Sequence, residues 1–461
     1  MSDARAAMRP GPGAPRSYAF PRAAEHRTAN GLRILALSMP GRPLAALQLL
    51  FHGGAAAESP AESGLIALLA KLLTEGGDRH DADGLVEAAE LLGASIGAEA
   101  GWERVAIGAE VPVARIAPLL DLVAEIALSP RLPEREVERL KALRLAAIEQ
   151  AHASPRTRAT EALLASIYAD GAAYGRPPGG TRESVAVIDR DALLLRHARL
   201  LVEGEPLLVV AGELRPDELF AAVEASPLAT LRAHPAPPPA GADRPAPPPA
   251  PGNAPRVALH DRPGSVQSEL RIGRLGRSRL APGFHAALVH SEIVGGLFGS
   301  RLNRVLREER GYTYGAGAGF DFRRGRGPFT MRTAVESSVT APALAEARRQ
   351  LSSPLTDPVT AEELDAARDY LRGTFPLRFG AAPPVVATVA GLTAVGLPLS
   401  DLDEYREAVA AVDAAAVRRV AEELESESER IVVVGDASIV AGPLRDEGFD
   451  VEVIPDAAAT A

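Results

Sequence analysis

Cysteine is absent from this chain of 461 residues. Its absence excludes disulfide bonds, cysteine-ligated zinc, iron–sulfur clusters and a thiol nucleophile. Aromatic residues make up only 4% of the sequence, which argues against base-stacking platforms. The net charge is −10, from 50 basic and 60 acidic residues, and its sign opposes a broad surface for nucleic acid or an anionic membrane. We therefore expect no nucleic-acid partner.

Long apolar runs are also missing, since no window approaches 18 consecutive apolar residues. The sequence thus predicts no membrane insertion. Residues 1–20 are interrupted by proline and arginine and lack the continuous apolar region of a secretory signal, so they are typical of a disordered leader. The expected location is the cytoplasm, or the periplasm if the chain is a truncated form of an exported protein.

Proline is concentrated in residues 234–255, which are nearly half proline and contain no large apolar side chain. Such a segment cannot form a helix or a central strand, and it favours extended polyproline geometry. It predicts a linker between an N-terminal domain, residues 21–233, and a C-terminal domain, residues 256–456.

The two sides of this linker share one order of elements: strands, then helices, then a closing strand. The strand-like runs are Gly31–Met39, Pro43–Gly54 and Pro206–Leu214 on the first side, and Arg256–Asp261, Ser265–Gly276 and Arg430–Ser438 on the second. This order predicts an α+β fold in which one unit is used twice, each a mostly antiparallel sheet covered by helices.

On the N-terminal side, a strand ending at a glycine pair is followed by a helix that begins near Gly64. Ala67, Ala70 and Lys71 are spaced i, i+3 and i+4, so they share one face of this helix. The stretch from Phe51 to Gly77 resembles the start of the M16 (insulinase/pitrilysin-like) metallopeptidases, whose active members carry the zinc motif H-x-x-E-H on this helix.

The resemblance places Ala67 and Lys71 at the two histidine positions and Ala70 at the glutamate general base. Alanine has no donor atom, and a lysine ammonium repels zinc, so the zinc site is degenerate. The family's third ligand would fall near Ala147, and Glu149 alone could not hold a metal. We therefore expect no metal in this chain, and a plain core helix is the favoured interpretation.

The histidines offer no replacement site. None of them forms H-x-x-E-H, H-E-x-x-H or H-x-H. The best remaining pair of metal-ligating side chains is His290 with Glu292, and the alternative for His290 is a surface or hydrogen-bonded histidine.

On the C-terminal side, the segment Gly295–Phe320 is the most informative. Its pattern predicts a helix whose apolar face is formed by Leu297, Phe298, Leu302, Val305 and Leu306. Arg304 and Glu308 are predicted to form an i, i+4 surface ion pair. A strand of small residues follows, leaving space for another backbone, and then a hairpin turn with Arg323, Arg324 and Arg326.

This segment is very similar to the C-terminal half of M16 proteins: a glycine pair, S-R-L, L-R-E-x-x-G and a tyrosine. The resemblance implies two homologous M16-type (LuxS/MPP-like) domains. In the family, an arginine and a tyrosine seven residues later bind the scissile carbonyl and steady the oxyanion, and Arg307 and Tyr314 match them. The alternative makes Arg307 a solvated helix residue and Tyr314 a packing residue.

The resemblance implies a non-catalytic subunit of a heterodimeric M16-type zinc peptidase, inactive alone. It would supply Arg307, Tyr314 and half of a chamber for unfolded peptide, held partly by addition to a sheet edge. Zinc would reside in a partner subunit carrying H-x-x-E-H. A structural scaffold without a role in proteolysis is the second hypothesis. An autonomous enzyme comes last, because G-x-S-x-G, a P-loop and a G-x-G-x-x-G before a helix are all absent.

Overall fold

The computed structural model describes residues 17–234, 243–246 and 255–455. Most of the predicted leader and most of the proline-rich linker lie outside the described residues. Phe20, the last residue of the predicted leader, is buried, and its ring lies 4.9 Å from that of Phe379. The chain therefore already packs against the C-terminal half at residue 20.

The N-terminal sheet has six strands in the order β1-β2-β6-β3-β5-β4. The strands are β1 (Ala23–Arg27), β2 (Arg33–Ser38), β3 (Leu44–His52), β4 (Ser95–Ala100), β5 (Arg104–Pro112) and β6 (Leu207–Gly212). Only β2 and β6 pair in parallel. The central strand β6, LLVVAG, is buried along its whole length, as expected for a strand covered on both faces.

The C-terminal sheet repeats this order as β12-β7-β11-β8-β10-β9. The strands are β7 (Arg256–Asp261), β8 (Gln267–Ser278), β9 (Ala316–Phe320), β10 (Arg326–Glu336), β11 (Arg430–Gly435) and β12 (Asp450–Ile454). The edge strand beside β2 comes from the start of the chain, whereas the edge strand beside β7 comes from its end. The predicted α+β fold with one unit used twice is confirmed.

Fifteen α-helices and two π-helical segments, Glu292–Gly296 and Asn303–Glu309, cover the sheets within the described residues. The helices are α1 (Leu65–Leu72), α2 (Ala82–Leu91), α3 (Ile116–Leu128), α4 (Glu134–Ala153), α5 (Pro155–Ile167), α6 (Arg182–Ala186), α7 (Arg190–Val202), α8 (Pro216–Ala225), α9 (Phe284–Ser291), α10 (Thr340–Thr356), α11 (Ala361–Thr374), α12 (Ala382–Val395), α13 (Ser400–Ala410), α14 (Ala414–Ser426) and α15 (Ala437–Asp446).

One helix of each half packs on the sheet of the other half. Helix α5 of the N-terminal half packs on β8 and β11, and α12 of the C-terminal half packs on β3 and β6. Gly273 in β8 admits α5 closely, because a Cβ there would lie 2.8 Å from the Leu163 and Ile167 side chains. Val385 and Val389 of α12 join an apolar core with Leu50 and Val209 of the other sheet. The two halves therefore share their cores, and burial of these apolar side chains holds them together.

The hairpin between β9 and β10 also joins the halves. Arg323 is 4% exposed, and its Cζ lies 4.3 Å from the centre of the Trp102 ring and 4.7 Å from that of Tyr174. Its Nη1 donates to the Tyr174 carbonyl at 3.2 Å. The basic run at the predicted turn is thus partly an interface between the halves.

No single helix in the described ranges is long and apolar enough to cross a membrane. One sharply bent pair, Ala361–Phe379 with Ala382–Val395, reaches that length and composition only when both members are combined. Both helices contribute to the shared core described above.

Candidate functional site

Helix α1 begins at a glycine turn fixed by a buried carboxylate. Gly64 has φ of 90°, and a Cβ there would lie 2.7 Å from the Gly179 carbonyl oxygen, so only glycine fits. The Glu58 carboxylate accepts hydrogen bonds from the Gly64 and Ile66 amides at 3.0 and 2.6 Å. Burial raises the pKa of Glu58 to about 7, although these amide hydrogen bonds oppose the shift. The start of the helix is therefore fixed without a side chain on α1 itself.

The positions of the degenerate zinc motif lie on a core helix. Six of the eight residues of α1 are buried, and the helix packs against β4, α4 and α7. Ala70 is 1% exposed, Ala67 is half-buried and Lys71 is exposed. Within the described residues no carboxylate lies at ion-pair distance from Lys71. Neither alanine offers a donor atom, so this helix provides nothing that could bind zinc.

Glu149, near the position of the family's third ligand, is occupied elsewhere. It forms an ion pair with Arg182. Both line an open cavity of about 590 Å³ on the N-terminal half, together with His152 and Glu161, whose nearest N and O atoms lie 3.7 Å apart. Across residues 17–234, 243–246 and 255–455, no three His, Asp or Glu side chains are placed to hold a metal ion.

His290 differs from the sequence-based expectation. It is fully buried, and neither ring nitrogen has a hydrogen-bond partner. The rings of Phe320 and Phe329 lie 6.4 and 5.7 Å from its own. Burial lowers the pKa of His290 to about 3. The expectation of a surface or hydrogen-bonded histidine is wrong, because the ring is enclosed and both of its nitrogens are unpaired.

The predicted helix over Leu297–Glu309 is wrong in detail. The chain leaves helical geometry at Leu297, where φ is −75° and ψ is 153°, and returns as the π-helical segment Asn303–Glu309. Phe298 is 67% exposed rather than part of a buried face. The i→i+5 spacing also corrects the ion pair: Arg304 lies 3.9 Å from Glu309, not against Glu308.

Close packing accounts for this irregular backbone. A Cβ at Gly295 would lie 2.2 Å from the Ala318 amide nitrogen in β9. The small residues of β9 thus leave room for the backbone of Glu292–Gly296, as the sequence predicts. Wide π turns in this region carry the chain past the strand and out to the surface at Phe298.

Arg301, the arginine of the S-R-L motif, has a structural role. It is 1% exposed, and its guanidinium donates to both Glu363 carboxylate oxygens at 2.8 and 2.7 Å. It also donates to the Ser353 hydroxyl at 3.0 Å and the Asp357 carbonyl at 2.9 Å. The motif arginine therefore fastens the π-helical region to α10 and α11.

Arg307 and Tyr314, the predicted site residues, line one open cavity of about 800 Å³. Arg307 lies in the last turn of Asn303–Glu309 with its Cζ 3.8 Å from the centre of the Phe298 ring. Tyr314 is 99% exposed in the loop before β9. Asn303 fixes this loop, because its Oδ1 accepts from the Ala316 amide at 2.9 Å. Ala67, Ala70 and Lys71 do not line this cavity.

Three further arginines in this cavity are not indicated by any motif. Arg271 and Arg332 are opposite each other on β8 and β10, and Arg156 comes from α5 of the N-terminal half. Glu269 lies 2.8 Å from Arg271. Only the strand register and the crossing of α5 bring these side chains together, and neither can be taken from sequence spacing alone.

Two family models match this chain. The model for insulinase (peptidase family M16) matches residues 33–177, and the model for the peptidase M16 inactive domain matches residues 188–371. The inactive-domain match contains Arg307 and Tyr314, whereas positions 67, 70 and 71 fall in the insulinase match.

Individual relatives cover most of the chain. An uncharacterized zinc protease of Mycobacterium leprae is 26% identical over 346 residues, which are 74% of this chain and 76% of that protein. The non-peptidase homolog YmxG of Helicobacter pylori is 22% identical over 361 residues, 78% of this chain and 81% of that protein. The crystal structure of a peptidase M16 inactive domain from Pseudomonas fluorescens matches with a TM-score of 0.79 and 25% identity, covering 90% of this chain and 98% of that one.

Two family models in tandem, the repeated sheet order and the structural match lead to one conclusion: the chain belongs to the M16 peptidase family.

Proposed function

We propose that this chain is the non-catalytic subunit of a heterodimeric M16-type zinc peptidase. The observation that carries the proposal is the contrast between two sites. Arg307 and Tyr314 line an open cavity, while Ala67, Ala70 and Lys71 leave the zinc helix without a ligand. A partner subunit carrying H-x-x-E-H would supply zinc and the general base.

The environment of Arg307 suits it to bind a substrate oxygen. Stacking on Phe298 holds one face of the guanidinium at 3.8 Å, and the N–H groups around its edge remain available to donate. The Tyr314 hydroxyl is solvent-accessible, as a group that contacts substrate must be. Two well-placed donors to a developing oxyanion are worth about 3 kcal/mol each.

The unfolded peptide would be held along the chamber wall partly by strand addition. Strand β4 is outermost in the N-terminal sheet, so one of its backbone edges has no strand partner among the described strands. Main-chain hydrogen bonds to such an edge bind extended peptides with little dependence on sequence.

The first experiment is a tagged pull-down from the native host, with mass spectrometry and a zinc assay on the eluted proteins. We expect to recover a protein of similar size that carries H-x-x-E-H, and we expect zinc to elute with that protein. Recovery of this chain alone, without zinc and inactive toward peptides, would overturn the proposal.

The second experiment uses the reconstituted pair. Arg307→Ala and Tyr314→Phe should each lower kcat by about 100-fold while the two subunits still associate. Arg310→Ala is the matched control, because Arg310 is exposed three residues further along the chain and does not line the cavity. Equal activity of all three variants would count against a role of the cavity in catalysis.

A structural scaffold is the second candidate function. It is favoured by the likeness to YmxG, which is named a non-peptidase homolog, together with the empty donor set on α1. In that case the pull-down would recover an assembly without peptidase activity, and substitution of Arg307 and Tyr314 would leave that assembly intact.

A further inference from the structure

The cavity that contains Arg307 carries an excess of positive charge. Arg156, Arg271, Arg307 and Arg332 line it, against Glu269 as the one acidic side chain among its described lining residues. Glu269 is bound to Arg271 at 2.8 Å. Arg156, Arg307 and Arg332 have no carboxylate at ion-pair distance among the described residues. The chain as a whole has a net charge of −10, so this local excess opposes its overall charge.

The positive charges of Arg156, Arg271 and Arg332 act on one another. Arg271 and Arg332 are directly opposite on neighbouring strands, a like-charge arrangement that weakens a sheet. Burial lowers the pKa of Arg271, and the charges of Arg156 and Arg332 lower it further while Glu269 opposes them. An anionic ligand in the cavity would relieve this repulsion.

The shape and rim of the cavity favour a peptide over a small anion. Its volume of about 800 Å³ lies at the upper end of the range for ligand sites, so a small anion would leave most of it empty. Phe298 and Tyr314 on its wall are 67% and 99% exposed. Ala316 and Gly317 of β9 form part of the wall, and β9 is the outermost described strand of its sheet. The small size of these two residues leaves room in the cavity for an extended backbone.

We propose that this cavity binds an extended acidic peptide segment. Arg156 and Arg332 pair with its carboxylates, and Phe298 and Tyr314 contact its apolar side chains. The proposal rests on the proposed function, because it names the class of peptide that the chamber wall selects. It does not depend on a zinc-bearing partner, since all of these residues belong to this chain.

The test measures binding to the isolated full chain by fluorescence polarisation. The probe is a labelled ten-residue peptide in which four glutamates alternate with leucine and alanine, and the comparison peptide has lysine in place of each glutamate. We expect the acidic peptide to bind at least tenfold more tightly and to weaken as salt rises. A single-stranded DNA ten-mer serves as a competitor of a different class.

Two charge reversals locate the site. Arg156→Glu and Arg332→Glu should each weaken binding of the acidic peptide about tenfold or more, the scale of a lost charge-assisted hydrogen bond. Arg419→Glu is the matched control, because Arg419 is exposed on α14 and does not line the cavity. Arg332→Glu places a carboxylate opposite Arg271, so the melting temperature of that variant should not fall.

Equal binding of the two peptides, no binding of either, or equal losses in all three variants would overturn the proposal. Tighter binding of the DNA ten-mer than of the acidic peptide would also overturn it, in favour of a nucleic-acid site. These results are separable from the proposed function, because a pair that cleaves peptides without an acidic preference would retain the partner role and lose only this inference.

Discussion

The two halves of the molecule share one strand order but differ at equivalent helices. Helix α1 follows β3, and α9 follows β8; both have eight residues and a left-handed glycine before the first turn, Gly64 and Gly283. After α1 the chain continues in ordinary turns. After α9 it enters two π-helical segments: the exposed Phe298 lies between them, and Arg307 lies in the second. The same sheet therefore supports a closed core helix in one half and a charged open cavity in the other.

This difference teaches that the fold does not depend on the chemistry at the site. The strand order is determined by buried apolar runs such as LLVVAG in β6 and RIVVVG in β11. Ala67 and Ala70 lie on α1, outside those runs.

The largest predicted effect comes from restoring the general base. Ala70→Glu places a carboxylate at a position that is 1% exposed among leucine side chains. Without a metal or a cation beside it, the buried charge should lower the free energy of unfolding by about 3–5 kcal/mol. Urea denaturation followed by circular dichroism measures the change.

Lys71→Glu is the matched control for that variant. Lys71 is exposed one residue further along α1, so the same carboxylate there should change stability by about 0.5 kcal/mol or less. If Ala70→Glu were tolerated as well as Lys71→Glu, α1 would still be open to a catalytic base and the contrast between the halves would be weaker than proposed.

Much of this comparison is accessible from sequence. The alternation of strands and helices predicts the two α+β units, and the S-R-L…Tyr string indicates Arg307 and Tyr314. Residue spacing could not predict the break at Leu297. The break arises where Gly295 approaches Ala318, and Ala318 belongs to strand β9, which lies outside the helical pattern. The i, i+4 rule therefore assigned Arg304 the wrong partner.

The remaining residues of the cavity needed three-dimensional information. Arg271 and Arg332 meet through the register of β8 with β10, and Arg156 joins them because α5 crosses to the other half. The burial of His290 could not be predicted from the sequence either, since the local pattern does not distinguish a surface histidine from one enclosed by Phe320 and Phe329.

A second prediction compares how much Arg301 and Arg304 contribute to stability. Arg301→Met removes the partner of the half-buried Glu363 and should lower the free energy of unfolding by about 3 kcal/mol. Arg304→Met removes only an exposed pair at 3.9 Å, so its effect should stay near 0.5 kcal/mol. Chemical denaturation of both variants checks this. Similar stabilities would contradict the assignment of Arg301 to structure rather than to the site.

A third prediction compares buried histidines in the two halves. His197 in the N-terminal half is hydrogen-bonded to the Ala127 carbonyl at 2.9 Å, whereas both nitrogens of His290 are unpaired. The folded-state pKa of His290, about 3, lies below its unfolded value, so the unfolded chain takes up the proton first as pH falls below 6.5. At pH 5 this linkage costs about 2 kcal/mol of stability relative to pH 8.

His290→Leu removes that linkage and fills the same apolar space. The variant should therefore lose less stability than the wild type between pH 8 and pH 5. His197→Leu should instead be destabilising at pH 8, because it leaves the Ala127 carbonyl unpaired. Urea midpoints at several pH values measure both. A pH dependence of His290→Leu equal to that of the wild type would show that His290 is not enclosed as described.

The smallest predicted effect concerns exposed apolar side chains, which have different roles in the two halves. Phe298→Leu removes the ring beneath Arg307 and should weaken acidic-peptide binding about two- to fivefold, the range of an exposed cation–π contact. Leu91→Ala alters a side chain that is 78% exposed on α2, outside the cavity, and should leave binding unchanged. Neither substitution removes buried area, so both variants should melt close to the wild type. If the two substitutions lowered affinity equally, non-specific binding to exposed apolar side chains would explain the result better than the stacked arginine. The C-terminal cavity would then not differ from the rest of the surface as a binding site.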